Sequence, residues 1–164
     1  TIKLLKLIQC SRIKTPFGIF TIFTNQIGIF KIDLPNISSK LYLKTNPIQF
    51  SNIHKKAVKE LKEYFFNSRK KFSTSIHLNM NPFYNLVLNE VKKIPYGETI
   101  SYKEIALKIN HKKAYRAVGL ANKKNPLPII IPCHRVIKSN GQLGGYGGGY
   151  KLKKKLLELE LSSS

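Results

Sequence analysis

The residues of this chain most able to do chemistry are Cys133 and His134, its only adjacent Cys-His pair, followed at once by Arg135. A cysteine is a strong nucleophile only as the thiolate, and a thiolate needs a nearby proton acceptor or positive charge. An imidazole and a guanidinium in the next two positions offer both. Pro132 fixes one backbone angle and removes one donor, which puts Cys133 at a chain reversal. The apolar run before it, residues 129–131, is expected to be a strand that ends in this turn. Adjacency alone does not bring the two side chains together, because neighbours on a strand point to opposite faces. A Cys among apolar residues is ordinarily an inert part of a core, so the surrounding elements decide.

Around this pair the second half of the chain is dense in signals. Pro82 is expected to start a helix with Phe83, Leu86, Val87 and Val91 on one side, stopping at Pro95-Tyr96-Gly97. Ser101-Tyr102-Lys103-Glu104 has the pattern of a capping box, opening a helix of about nine residues. A second helix is expected from about residue 112 to 123, after the short connection Asn110-His111. Two short helices joined by a tight turn suggest a helix-turn-helix. The small residues of the second one, Ala114, Ala117, Gly119 and Ala121, permit close approach either to a nucleic-acid groove or to a neighbouring helix. Asn125-Pro126-Leu127-Pro128 stops that helix. Residues 141–149 form a glycine-rich loop whose bare backbone groups can line a ligand pocket beside a nucleophile. A last helix, from about 151 to 161, puts Leu152, Leu156 and Leu159 on a core face and carries Glu158 and Glu160.

The first half shows no recognisable chemistry. A strand is expected at residues 2–9, and runs 17–23 and 27–34 read as a hairpin through Thr24-Asn25-Gln26. Residues 40–44 could add a short strand. A helix is expected from Ser51 or Asn52 to about Phe66, with Ile53, Ala57, Leu61 and Tyr64 along one stripe. Arg69-Lys70-Lys71 reads as a solvated basic run, and residues 77–81 as a linker. The fold class is therefore mixed α/β (α+β), with an N-terminal α/β supporting domain over 1–78 and a mainly helical C-terminal domain over 79–164.

Composition bounds the setting. At 164 residues and 42% hydrophobic content the chain can bury one or two cores, and no apolar run is long enough to span a bilayer. No membrane association is expected. Residues 1–10 show no cleavage-site pattern, so no signal peptide is expected. Cys10 and Cys133 are far apart and form no cluster, which argues against a disulfide framework or a cysteine zinc site and for a reducing cytoplasm. A net charge of +21, from 29 Lys and Arg against 8 acids, attracts polyanions and favours salt-dependent nucleic-acid binding. Abundant Ile and Asn beside the Lys also fit compositional drift in an AT-rich genome.

Taken together, Ile131-Pro132-Cys133-His134-Arg135-Val136-Ile137, Pro95-Tyr96-Gly97-Glu98-Thr99-Ile100-Ser101-Tyr102, Arg116-Ala117-Val118-Gly119 and Asn125-Pro126 resemble the O6-alkylguanine-DNA alkyltransferases. The resemblance runs from about residue 82 to 160. The N-terminal half is similar only loosely, through Thr15-Pro16-Phe17-Gly18 and the hairpin that follows. The resemblance implies a ribonuclease-H-like N-terminal domain and a winged-helix-like C-terminal one. It implies a protein, likewise cytoplasmic and monomeric, that acts on double-stranded DNA containing O6-alkylguanine, chiefly O6-methylguanine with O4-methylthymine as a second candidate. The alkyl group would pass irreversibly to Cys133 in a single turnover, with no metal or organic cofactor.

The same resemblance assigns roles. Cys133 would be the nucleophile, His134 its base acting through a water, and Glu160 the carboxylate that orients the imidazole. The choice of Glu160 over Glu158 follows the family alignment. Asn125 would buttress the turn carrying the nucleophile, and Tyr102 would help rotate the nucleotide and protonate the departing guanine. Arg116 would fill the space left by the flipped base. Ala117, Gly119 and Ser139 would join Arg116 and Tyr102 in contacting DNA, and Val136, Tyr146 and Gly147 would complete the pocket. The chain departs from the family pattern at Tyr115, bulkier than the usual small residue, and at Leu120, which replaces a Gly or Ala. Two other readings are a non-enzymatic sensor of alkyl lesions, which the presence of Cys133 disfavours, and a thiol hydrolase with a Cys-His-Glu site.

Overall fold

Strands Gln9–Thr15 (β1), Gly18–Thr24 (β2) and Ile29–Asp33 (β3) form an antiparallel sheet in the order β1-β2-β3. The computed structural model describes residues 8–37 and 49–163 and divides the chain into two units, Thr1–Leu78 and Asn79–Ser164. The short strand expected at 40–44, and nearly all of the one expected at 2–9, lie outside the described residues. The observed first strand starts at Gln9 and pairs with β2 through a tight turn that the sequence reading left unassigned. There Thr15 Oγ1 donates to the Gly18 carbonyl at 2.7 Å and accepts from the Phe17 N–H at 3.0 Å. Gly18 has φ +117°, and a Cβ on it would stand 2.8 Å from Pro35, so glycine is required. The expected hairpin through residues 24–26 is present as β2 and β3.

Helix α1 (Asn52–Phe65) starts at Ser51, whose hydroxyl accepts from the His54 N–H, and packs on β1 and β2. Its buried stripe is His54, Ala57, Glu60, Leu61, Tyr64 and Phe65, with Ile53 only half-buried. Glu60 is buried because Ser73 and Thr74 donate to its carboxylate from backbone N–H groups at 2.9 and 3.0 Å, and Ser73 Oγ adds a bond of 2.6 Å. Arg69 does not belong to a freely solvated run: its Nε donates to Glu63 at 2.7 Å, and its guanidinium lies 3.6 Å from Glu60. The acids of α1 claim it.

In the second unit, α2 (Pro82–Val91) takes its N-cap from Asn81 and its first turn from Pro82. Its buried residues are Val87, Leu88 and Val91, whereas Leu86, expected on the core face, is 42% exposed. The capping box of Ser101 and Glu104 forms as expected and opens α3 (Tyr102–Lys108), two residues shorter than anticipated. The connection to α4 (Tyr115–Lys123) extends further than the sequence suggested. An Ala114 N–H to His111 carbonyl bond closes a turn over Lys112 and Lys113 before the helix can start. Helices α2, α3 and α4 pack pairwise, and α5 (Tyr150–Ser162) packs on a short 3-10 turn, Cys133–Arg135.

Residues 129–131 are not a strand. The Ile131 N–H returns to the Leu127 carbonyl at 2.9 Å, and buried Ile129 has φ +76°. Such a conformation is strained for a β-branched residue and is tolerated only where the surroundings over-determine it. The strand lies after the cysteine instead, where β5 (Val136–Ile137) pairs in parallel with β4 (Ile100–Ser101). This two-residue pairing brings the start of α3, and with it Tyr102, beside the chain that leaves Cys133.

Candidate active site

The 3-10 turn sets Cys133, His134 and Arg135 in consecutive positions, all buried, and the face of α5 completes the arrangement. Glu160 is fully buried and accepts from His134 Nε2 at 2.7 Å, from Arg135 Nε and Nη2 at 2.9 Å each, and from the Gly97 N–H at 3.2 Å. Burial alone would raise its carboxyl pKa, but the hydrogen bonds and charges of His134 and Arg135 outweigh that and hold it at about 2. Glu158 stands on the solvent side, loosely paired with Lys154 at 3.9 Å. Of the two acids on this helix, the structure puts Glu160 against the imidazole.

An ionised carboxylate can only accept, so Nε2 of His134 carries the proton and Nδ1 is left with the lone pair. Burial lowers the imidazole pKa. The hydrogen bond and charge of Glu160 act against that shift, while Arg135 and Lys153 reinforce it. The ring is thus a neutral base. Burial is the main cause, and Arg135 adds to it: its two-pronged bond takes up part of the Glu160 charge that would otherwise draw a second proton onto the ring. Arg135 also donates to the Ile94 carbonyl at 2.6 Å and lies over the Tyr96 ring. The guanidinium that the sequence sets next to the thiol serves the carboxylate instead.

Cys133 is 5% exposed, and burial raises its thiol to about 11, opposed by a hydrogen bond from Asn125, the Lys153 charge and the N–H groups of Cys133 and His134. Asn125 holds the turn on both sides, donating to the Ile131 carbonyl at 2.8 Å and accepting from the Leu127 N–H at 2.9 Å. From α4, buried Asn122 donates to the Cys133 carbonyl at 3.1 Å.

Lys153 and Asn122 were not anticipated. The Lys153 ammonium donates to the carbonyls of Val136 at 2.6 Å and Gly145 at 3.3 Å, and to that of Leu143, which matches its three donors to three acceptors. Burial depresses it to about 8, with the Cys133 charge acting against that shift. A signal was present: Lys153 precedes Leu156 by three residues and Glu160 by seven, on the buried stripe of α5. A lysine inside an apolar stripe needs a polar reason to be there.

A cavity of about 600 Å³ is lined by Tyr102, Asn122 and Tyr146 among others; Cys133 does not itself line it, but Asn122 holds the Cys133 carbonyl and the Cys133 charge acts on both phenols. Both phenols are raised by burial and by proximity to the Cys133 charge, and the buried Tyr146 hydroxyl has no hydrogen-bond partner among the described residues. Gly144, at φ +74°, brings its backbone against the Tyr102 ring, where a Cβ would meet the hydroxyl at 3.1 Å. Gly119, Ser139 and Gly147 also line the cavity, while Arg116 and Ala117 are exposed on α4. Val136, expected to contribute chiefly through its backbone, is not among the lining residues. Its side chain is fully buried, its N–H bonds the Cys133 carbonyl, and its own carbonyl is held by Lys153. Among the described residues, no three His, Cys, Asp or Glu side chains converge as a metal site.

Comparison with known proteins identifies the family. The family model described as "6-O-methylguanine DNA methyltransferase, DNA binding domain" matches residues 82–162. A methylated-DNA–protein-cysteine methyltransferase of Methanosarcina barkeri is 38% identical over 148 residues, 90% of this chain and 94% of that one. The crystal structure of Mycobacterium tuberculosis O6-methylguanine methyltransferase superposes with a TM-score of 0.85 at 37% identity, covering 96% of this chain and 94% of the other. The same organism's OGT in complex with DNA gives 0.84 at 38% identity, with 94% of each chain covered. Because the similarity extends over nine-tenths of the sequence and reaches well beyond the cysteine box, the chain belongs to the methylated-DNA–protein-cysteine methyltransferases.

Proposed function

We propose that the protein binds double-stranded DNA as a monomer, turns O6-alkylguanine out of the helix, and takes the alkyl group onto Cys133 once and irreversibly. O6-methylguanine is the chief lesion in this reading, and O4-methylthymine the second. The observation that carries it is the hydrogen-bonded run Arg135–Glu160–His134 next to a buried thiol, with a cavity roomy enough for a base close by. A thiol at about 11 is protonated at neutral pH and needs a base. His134 supplies one, taking the proton through a water at Nδ1 while Glu160 holds the ring. The thiolate then attacks the alkyl carbon, a C–S bond forms, and the C–O6 bond breaks with its electron pair leaving on guanine. Guanine takes up a proton delivered through Tyr102, whose raised phenol pKa keeps it protonated. One proton leaves the thiol and one reaches the base, so the step balances.

A thioether has no good leaving group, and nothing in this constellation would reopen it. Helices α3 and α4 act in this reading as a helix-turn-helix of winged-helix type, with Arg116 filling the vacated stack and Ala117, Gly119 and Ser139 close to the strand. Asn125 holds the nucleophile's turn. Tyr146 and Gly147 bound the base. The N-terminal unit, ribonuclease-H-like by resemblance, supports the reactive one.

Intact-protein and peptide mass spectrometry after mixing with a duplex carrying one O6-methylguanine tests the assignment. The expected result is one added methyl on the Cys133 peptide, at one per protein and no more. Cys133→Ala should bind the duplex with unchanged affinity and gain no mass. Tight binding by the unaltered protein with no added mass would mean a lesion sensor, and repeated turnover would mean a hydrolase.

A further inference from the structure

The cavity near Cys133 is larger than an extruded base with a methyl group requires. Its 600 Å³ falls within the roughly 300–1,000 Å³ of sites that enclose drug-sized ligands. Its outer part has a composition of its own. Tyr115, at the first turn of α4, is 39% exposed and lines the cavity together with Lys103, Gly119 and Lys123. Tyr115, Gly119 and Lys123 follow one another at intervals of four, so they form a single stripe of the helix facing the cavity. Lys103 Nζ and Arg116 Cζ each lie 5.9 Å from the Tyr115 ring centroid, which sets two cations beside the ring. An exposed aromatic ring among lysines at the rim of a groove is how proteins hold single-stranded nucleic acid: the ring stacks a base and the cations meet its phosphates.

We propose that Tyr115, Lys103 and Lys123 form a second base subsite at the mouth of the cavity, which stacks the nucleobase next to the alkylated one when that neighbour is unpaired. The subsite extends the proposed alkyl-transfer reading, on which it rests, to single-stranded and looped DNA. Tyr102 and Tyr146 face the reacting base in the inner part, while Tyr115 meets only its neighbour. A substrate without a neighbour therefore makes no use of Tyr115.

The test compares second-order rate constants of alkyl transfer for the unaltered protein, Tyr115→Ala and Tyr115→Phe. The substrates are a single-stranded oligonucleotide carrying O6-methylguanine and free O6-benzylguanine. Tyr115→Ala should lose at least about fivefold on the oligonucleotide, the equivalent of a stack worth about 1 kcal/mol. Its loss on the free base should be smaller by a similar factor, and Tyr115→Phe should keep the oligonucleotide rate. An unchanged oligonucleotide rate in Tyr115→Ala would overturn the subsite. So would equal losses on both substrates, which would put Tyr115 against the reacting base. If the unaltered protein itself transfers no alkyl group, the alkyl-transfer reading has failed, and that outcome is distinct from either.

Discussion

At the scale of single residues, the site's problem is to make a thiolate where burial opposes one. The Cys133 thiol is pushed up to about 11, and the groups that counter this are dipoles and one buried ammonium, not a salt bridge. In the proposed reaction proton removal falls to His134, held by Glu160. The Glu160 carboxyl, at about 2, stays ionised throughout the working range, so any loss of activity on mild acidification reports protonation of His134. Because the His134 pKa is lowered, that loss should lie below the ordinary imidazole value of 6.5. Glu160→Gln removes the charge that fixes the ring tautomer and strands Arg135 in the interior. The transfer rate at neutral pH should fall by at least about tenfold, with stability falling by roughly 3 kcal/mol. Glu158→Gln should change neither measurably, and the reverse ranking in a stopped-time methyl-transfer assay would overturn the assignment.

At the scale of elements, the reactive turn is built from both sides. Asn125 and the strained Ile129 shape the chain before Cys133, and the β4–β5 pairing fixes the chain after it. Lys153 ties α5 to the same segment through the Val136 carbonyl and to the glycine-rich loop through the carbonyls of Leu143 and Gly145, so a single ammonium anchors the loop. In the N-terminal unit, His54 plays the corresponding part. It is buried between Ser11 Oγ at 2.7 Å and Thr24 Oγ1 at 2.8 Å, with Phe50 stacked on it, and burial lowers its pKa to about 4. A folded pKa below the unfolded one means that the unfolded state binds the proton more readily. The stabilisation is therefore complete above 6.5 and is lost as pH falls towards 4. The shift amounts to on the order of 3 kcal/mol. Urea denaturation followed from pH 7 to pH 4 should lose that much in the unaltered protein and clearly less in His54→Gln. A parallel pH dependence in both would remove His54 as the cause.

At the scale of the whole molecule, the net charge of +21 supplies a general attraction to DNA, and the selection of a lesion must come from elsewhere. Arg116 is exposed on α4, next to the cavity stripe but not among its lining residues, as suits a side chain that enters the duplex and not the reaction. Arg116→Ala should slow repair of an O6-methylguanine duplex at least about tenfold more than it slows reaction with free O6-benzylguanine, since only the duplex must be unstacked. Equal losses on the two substrates would rule out a role in base extrusion. Raising salt should weaken duplex binding of the unaltered protein and of the Arg116 variant alike, because most of the charge lies outside the site.

The sequence alone carried the chemistry where the relevant information is local. The Pro132-Cys133-His134-Arg135 box, the capping box at Ser101 and Glu104, the helix start at Pro82 and the hairpin through residues 24–26 are all short-range patterns, and each has its counterpart in the structure. Local pattern also misled. The apolar run 129–131 has the composition of a strand, but the return of Ile131 to Leu127 and the Asn125 side chain bend it into a turn. Arg135 was legible as a charge beside the thiol, yet its partner is a carboxylate 25 residues away. Periodicity could not separate Glu160 from Glu158, nor say that Lys153 would be buried. Those outcomes depend on which face of α5 meets the reactive turn, and on desolvation that exists only once the two have packed.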